Sequence, residues 1–150
     1  YMGEIDEFYI NAYNLHITLN QCMEKILGEL QSDLSFGQYV LLKYILQEKD
    51  CKISQKDLSE HGTIKSASVS QFLKSLVKRG YIQHYFAGQD NRCKEIALTE
   101  KAIRTIKEID QKMQESLFDN EADEERIKKY VEVLISTQAY WQKKEESSHD

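Results

Sequence analysis

ISQKDLSEHGTIKSASVSQFLKSLVKRGYIQHYFAGQDNRCKEIALT, residues 53–99, is the stretch that decides how this chain folds. Ser54, with Asp57 three residues later, is a capping signal that predicts a short helix through about His61. Gly62 and Thr63 form a turn. A second helix is predicted from about Lys65 to Arg79, with Gly80 as its C-terminal cap. Val69, Phe72, Leu73, Leu76 and Val77 recur at helical spacing and give it a core face. The opposite face carries Ala67, Ser70, Gln71, Lys74 and Lys78, small and polar first, then basic, with no acid. Tyr81–Phe86 and Cys93–Leu98 read as strands, joined by AGQDNR, where Gly88 and Asp90-Asn91 supply turn chemistry.

Long helical patterns flank this stretch. Ile5, Phe8, Tyr9, Ala12, Leu15, Leu19, Cys22, Met23, Ile26, Leu27 and Leu30 form one apolar stripe over residues 5–30. Ser35 followed by Gln38 is a capping box, and Phe36–Gln47 continues as a helix that is apolar on most sides, hence central. Glu48–Lys52 reads as a polar turn. On the far side, Thr99 caps a helix over 100–117 with Ala102, Ile103, Ile106, Ile109, Met113 and Leu117 on its apolar face. A last helix is expected over 124–144, capped by Asp123, with the polar tail KKEESSHD fraying. There is no proline, so no helix meets the strongest breaker.

Charge separates the central stretch from its flanks. The chain carries a net −5. Residues 52–107 hold eleven basic residues against five acidic, or +6, which leaves nine against twenty, or −11, for the rest. Such asymmetry points to a segment that meets nucleic acid, or else to a chance cluster on solvated faces. No apolar run approaches the length of a membrane span, and the first residues are acidic rather than a basic-then-apolar leader. Three scattered cysteines, Cys22, Cys51 and Cys93, do not suggest a disulfide framework. A cytoplasmic protein is expected.

Helix, turn, helix and β-ribbon in this order make a winged helix-turn-helix, a mainly α fold with a small sheet, whose second helix enters the DNA major groove. A reading helix needs short side chains where its backbone approaches the bases. Ser66, Ala67, Ser68 and Ser70 meet that need, and Gln71 can bond adenine in a bidentate manner. Lys74 and Lys78 lie further along for phosphates, which set position rather than sequence. Arg92 stands at the wing tip, where a guanidinium suits a narrow minor groove. Asp90 can orient it, and Lys94 adds a phosphate contact. The same residues also fit a serine-rich solvent face and a surface ion pair.

The segment resembles the MarR family of bacterial transcription regulators. The family's wing runs Asp-x-Arg and then a strand ending in Leu-Thr, and here stand Asp90-Asn91-Arg92 and Lys94-Glu95-Ile96-Ala97-Leu98-Thr99. Leu76-Val77-Lys78-Arg79-Gly80-Tyr81-Ile82 matches the end of the family's recognition helix, and Asp57-Leu58 the start of the helix before it. Two departures are Gly62-Thr63, with the glycine one place early, and Lys65 where a serine cap is usual. The resemblance implies a homodimer held by the terminal helices (residues 1–34 and 118–150) around a reading segment, 35–117, in one intertwined domain. It also implies double-stranded DNA with a near-palindromic operator as partner, and repression released by a small apolar or aromatic effector or by thiol modification. No cofactor and no enzymatic activity are implied.

Other features leave alternatives open. Tyr13, Phe36, Tyr39 and Tyr44 could line an effector pocket or simply pack the core. Cys22 could be a sensing thiol or a small buried hydrophobe. Cys51 is expected on an exposed turn, and Cys93 could be a reactive thiol, since Arg92 and Lys94 beside it favour thiolate, or simply a strand residue. His84 could face DNA or the core. No metal-ligand spacing, nucleophile–base pair, Walker loop or dinucleotide fingerprint is present. A winged helix that docks on another protein, without reading DNA, is the alternative function.

Overall fold

The computed structural model describes residues 3–61, 66–87, 93–118 and 121–148. The chain divides into two compact units, residues 1–112 and 113–150. In the first, α1 (Glu4–Glu29) is followed by α2 (Phe36–Leu46), a single 3-10 turn (Lys49–Cys51) and β1 (Lys52–Ser54). Then come α3 (Gln55–His61), α4 (Ser66–Lys78), β2 (Ile82–Ala87), β3 (Cys93–Leu98) and α5 (Glu100–Leu117), whose last residues belong to the second unit. That second unit is completed by α6 (Glu121–Ser147).

Local chemistry sets most of these boundaries. The Ser35 hydroxyl accepts from the Gln38 amide at 3.2 Å while the Gln38 side chain accepts from the Ser35 amide at 3.1 Å, the reciprocal box that starts α2. Ser54 caps α3 through the Asp57 amide at 3.0 Å, and Thr99 caps α5 through the Ala102 amide at 3.2 Å. Gly80 ends α4 at φ +80, a conformation that a side chain resists.

The three strands form one antiparallel sheet in the order β1-β3-β2. β1 departs from the sequence expectation, in which Glu48–Lys52 is a turn: the turn is Lys49–Cys51 and Lys52 already belongs to the strand. Ile53 lies opposite Ile96, and Ile96 opposite His84, so all three share one face. Ile53 and Ile96 are buried there, whereas His84 at the edge is exposed. Leu41, Leu42 and Ile45 of α2, Leu58 of α3, Val69, Leu73 and Leu76 of α4, and Ala102, Ile106 and Ile109 of α5 complete the core, each 2% exposed or less. Gln38 is the buried polar residue among those described.

The terminal helices behave differently. α1 buries only Met23, Ile26 and Leu27 near its C-terminal end. Further up the stripe Ile5, Tyr9, Leu15 and Leu19 stay exposed, as do Ile10, Tyr13 and Ile17. In the second unit, α6 exposes Ile127, Tyr130, Val131, Val133, Leu134, Ile135, Tyr140 and Trp141. It also runs longer than the expected 124–144. Asp123 lies inside it and pairs with Arg126 at 2.5 Å rather than capping it, and the tail through Ser147 is helical rather than frayed.

Candidate nucleic-acid interface

α4 turns a buried row of Val69, Leu73 and Leu76 to the core and leaves Ser68, Ser70, Gln71, Lys74 and Lys78 exposed. The exposed row has no acidic residue, and Lys74 and Lys78 lie one helical turn apart. Ser66 and Ala67 open the helix, but their side chains lie outside the described residues, as does Lys65. On the ribbon, Lys94 is exposed opposite Phe86, two residues along β3 from buried Ile96 and therefore on the same sheet face. Asp90 and Arg92, the wing-tip pair, lie outside the described residues, and so does the Cys93 side chain.

Arg79, next in sequence to Lys78, is held inward. Its Nε donates to the Ser75 carbonyl at 3.3 Å, Nη2 to Gln38 Oε1 at 2.7 Å, and Nη1 to the Asp33 carbonyl. Asp33 Oδ1 lies 3.6 Å from the same Nη1 and accepts the Tyr81 hydroxyl at 2.5 Å. Lys101 closes the other side. Its ammonium donates to the Arg79 carbonyl at 2.7 Å and stands 4.4 Å from the centre of the Tyr81 ring. Thr99 Oγ1 donates to the Gly80 carbonyl at 2.7 Å. Sequence reasoning counted Arg79 only as one of the basic residues. The signal was its phase: Arg79 falls three residues after Leu76 and seven after Phe72, on the core side of the helix.

Electrostatics follow this geometry. The Tyr81 hydrogen bond, with the Arg79 and Lys101 charges, holds the Asp33 carboxyl below the usual carboxylate range against a smaller burial effect. Burial and the Asp33 carboxylate push the Tyr81 hydroxyl up to about 12. A comparable node joins α2 to α5: Tyr39 donates to Asp110 Oδ1, and Lys43 pairs with Asp110 Oδ2 at 2.7 Å. Burial and that carboxylate raise the Tyr39 hydroxyl further.

An open hollow of about 350 Å³ lies beside the Asp33–Tyr81 pair. Leu30, Asp33, Tyr81, Thr105, Glu108 and Ile109 are among its walls. The aromatic residues considered for an effector pocket do not line it. Tyr39 is buried in the core and Tyr13 is 64% exposed on α1. Cys22 is half-buried on α1. Cys51, expected to be exposed, is half-buried too, with φ +53 and its Sγ 3.9 Å from the Leu46 carbonyl. Among the described residues no helix is long and apolar enough to cross a membrane.

Comparison with known proteins places this architecture. The family model for the transcriptional regulator SarA/Rot matches residues 21–109. The HTH-type transcriptional regulator SarZ of Staphylococcus haemolyticus is 30% identical over 117 residues, which cover 75% of this chain and 78% of that protein. Among solved structures, reduced AbfR bound to DNA has a TM-score of 0.74 at 20% identity, covering 91% of this chain and 92% of that one. The S. aureus MepR–DNA complex has a TM-score of 0.67 at 23% identity, covering 85% and 97%. AbsC of Streptomyces coelicolor, a MarR family transcriptional regulator, has a TM-score of 0.70 at 12% identity, covering 93% and 97%. At these identities the solved structures establish the fold, a winged helix-turn-helix of the kind seen in MarR-type regulators, and the family match over residues 21–109 establishes the lineage: this chain belongs to the SarA/Rot family of transcriptional regulators.

Proposed function

We propose that this regulator works as a homodimer that reads a near-palindromic operator in double-stranded DNA and represses until a small effector or a thiol modification releases it. One observation carries the reading: α4 buries Val69, Leu73 and Leu76 and leaves an acid-free row of Ser68, Ser70, Gln71, Lys74 and Lys78 in solvent. In this proposal Ser66, Ala67, Ser68, Ser70 and Gln71 meet base edges, and Lys74, Lys78 and Lys94 meet phosphates. Arg92, oriented by Asp90, enters the minor groove. Residues 35–117 form the reading segment, and residues 1–34 and 118–150 pair the two copies. The exposed apolar side chains of α1 and α6 support that pairing, because isolated surfaces rarely leave so many large hydrophobic groups in water. Two-fold symmetry then sets the recognition helices about 34 Å apart, one turn of DNA.

Release is a population shift: the signal prefers the form that does not fit the operator. The hollow beside Asp33 and Tyr81 is the candidate effector site, and half-buried Cys22 the candidate thiol. The protein acts in the cytoplasm by binding alone, with no covalent chemistry. Anisotropy titration against the DNA upstream of its own gene tests the reading. Specific binding that falls steeply with salt is expected. Affinity no better than for random DNA overturns it. Arg92→Ala separates the readings further: a DNA reader loses affinity, and a protein-docking module keeps its partner.

A further inference from the structure

Resting on the DNA-reading function above, we infer that Arg79 and Asp33 are positioning residues for the recognition helix: Arg79 does not contact phosphate, and Asp33 fixes the exit of α4 to the α1–α2 corner. Arg79 is basic, sits on the recognition helix and adjoins a candidate phosphate-binding lysine, so charge alone would assign it to DNA. Geometry assigns it elsewhere. All three guanidinium nitrogens already donate to protein acceptors: Ser75 O, Asp33 O and Gln38 Oε1. Those bonds take three of the five N–H donors and hold the guanidinium against residues 33–38, its side chain 23% exposed, while Lys78 stands in solvent.

The three acceptors come from different elements. Ser75 is in α4 itself, Asp33 is in the corner after α1, and Gln38 is in the first turn of α2. Gln38 is buried, and its Oε1 also accepts the Ser35 amide at 3.1 Å, so one oxygen serves both the cap of α2 and the anchor of α4. Two residues on, the Tyr81 hydroxyl returns to Asp33 Oδ1. Residues 79–81 are thus gripped by residues 33–38 on one side and by Thr99 and Lys101 on the other. The corner that receives α1 and the end of the helix proposed to read bases are one hydrogen-bonded unit, and the pose of α4 depends on it.

The sign of the Asp33→Asn effect makes the test sharp. Asp33 is an acid, and removing a negative charge from a DNA-binding protein raises its affinity if long-range electrostatics alone govern. If Asp33 positions α4, the same substitution weakens operator binding, by about two- to fivefold, because it strips the charge from the Tyr81 hydrogen bond and from the half-exposed 3.6 Å pair with Arg79 while the Asp33 carbonyl keeps its bond. Anisotropy titrations at several salt concentrations use the full chain as wild type, Asp33→Asn, Tyr81→Phe, Arg79→Gln and Lys78→Gln. Asp33→Asn, Tyr81→Phe and Arg79→Gln are expected to lose affinity with the wild-type salt slope. Lys78→Gln is expected to lower the slope by about 0.9 for each phosphate released.

An Arg79→Gln slope that falls as Lys78→Gln does makes Arg79 a phosphate contact and overturns the inference. So does an Asp33→Asn protein that binds as tightly as wild type or tighter. Tyr81→Phe removes only a hydroxyl and carries the test if the charge variants melt early. Hydrogen exchange without DNA supplies a separate readout: faster exchange at the C-terminal end of α4 in Asp33→Asn is expected, and unchanged exchange there also overturns the inference. A wild type with no operator preference refutes the DNA-reading function instead, whatever the exchange result.

Discussion

Leu15 on α1 and Leu134 on α6 offer a quantitative test of the proposed dimer. Each keeps nearly half of its surface exposed, 45% and 46%. Full burial of a leucine side chain is worth about 1.5–3 kcal/mol, so covering the remaining half contributes about 0.7–1.4 kcal/mol. In an isologous interface each residue occurs twice, which doubles the term to about 1.4–2.8 kcal/mol per dimer. Leu15→Ala or Leu134→Ala should therefore raise the dimer dissociation constant by about ten- to a hundredfold. Sedimentation velocity over a dilution series reads this directly, and circular dichroism melts check that each copy stays folded. Operator binding should weaken in step as the protein is diluted. A dissociation constant unchanged within about twofold for both variants, a shift worth under about 0.5 kcal/mol, would refute the assignment of these faces to a dimer.

Three further outcomes are expected. Lys74→Gln should make the salt dependence of operator binding shallower by about 1.8 per dimer, one phosphate for each copy, as read by anisotropy. Urea unfolding across pH should show two arms from the Asp33–Tyr81 pair. Because the Asp33 carboxyl is held below its usual range, its contribution is present above the ordinary carboxylate range and is lost as pH falls through the lowered value. The Tyr81 hydroxyl is raised to about 12, so its share holds below the ordinary tyrosine value and fades as pH climbs towards 12. Asp33→Asn should remove the acid arm. Finally, Gly80→Ala should destabilise by about 1 kcal/mol because of its φ of +80, whereas Gly28→Ala, with open space around the new carbon on a helix, should stabilise by up to about 1 kcal/mol in thermal melts.

Features encoded within a few residues were legible from the sequence. The Ser35–Gln38 box, the Ser54 and Thr99 caps and the Gly80 stop each depend on neighbours three or four positions away, and each stands where the pattern put it. The exposed row Ser70, Gln71, Lys74 and Lys78 followed from helical phase alone. β1 was not legible. It has three residues, one of them buried, and it exists because β3, more than forty positions later, offers it an edge. Two-residue alternation has no room to show in so short a run. The length of α6 was underestimated for another reason. Lys143, Lys144, Glu145 and Glu146 carry no apolar signal, yet all four are good helix formers, and the helix continues through them. Cys51 was misplaced because its turn folds back, bringing Sγ towards Leu46. The anchoring role of Arg79 needed the tertiary partners Asp33 and Gln38, which lie over forty residues away.

The short strand β1 has a consequence for exchange between relatives. Because Lys52–Ser54 pairs with Glu95–Ala97, the stretch that contains both helices of the helix-turn-helix and the ribbon begins and ends at two neighbouring strands. Its ends are about 4.8 Å apart, one strand spacing. That is the geometry of a cassette with a fixed underside: the stretch can change length at its outer turns without moving its two ends apart, whereas Leu58, Val69, Leu73, Leu76 and Arg79, which face α2 and α5 or the α1–α2 corner, must be kept.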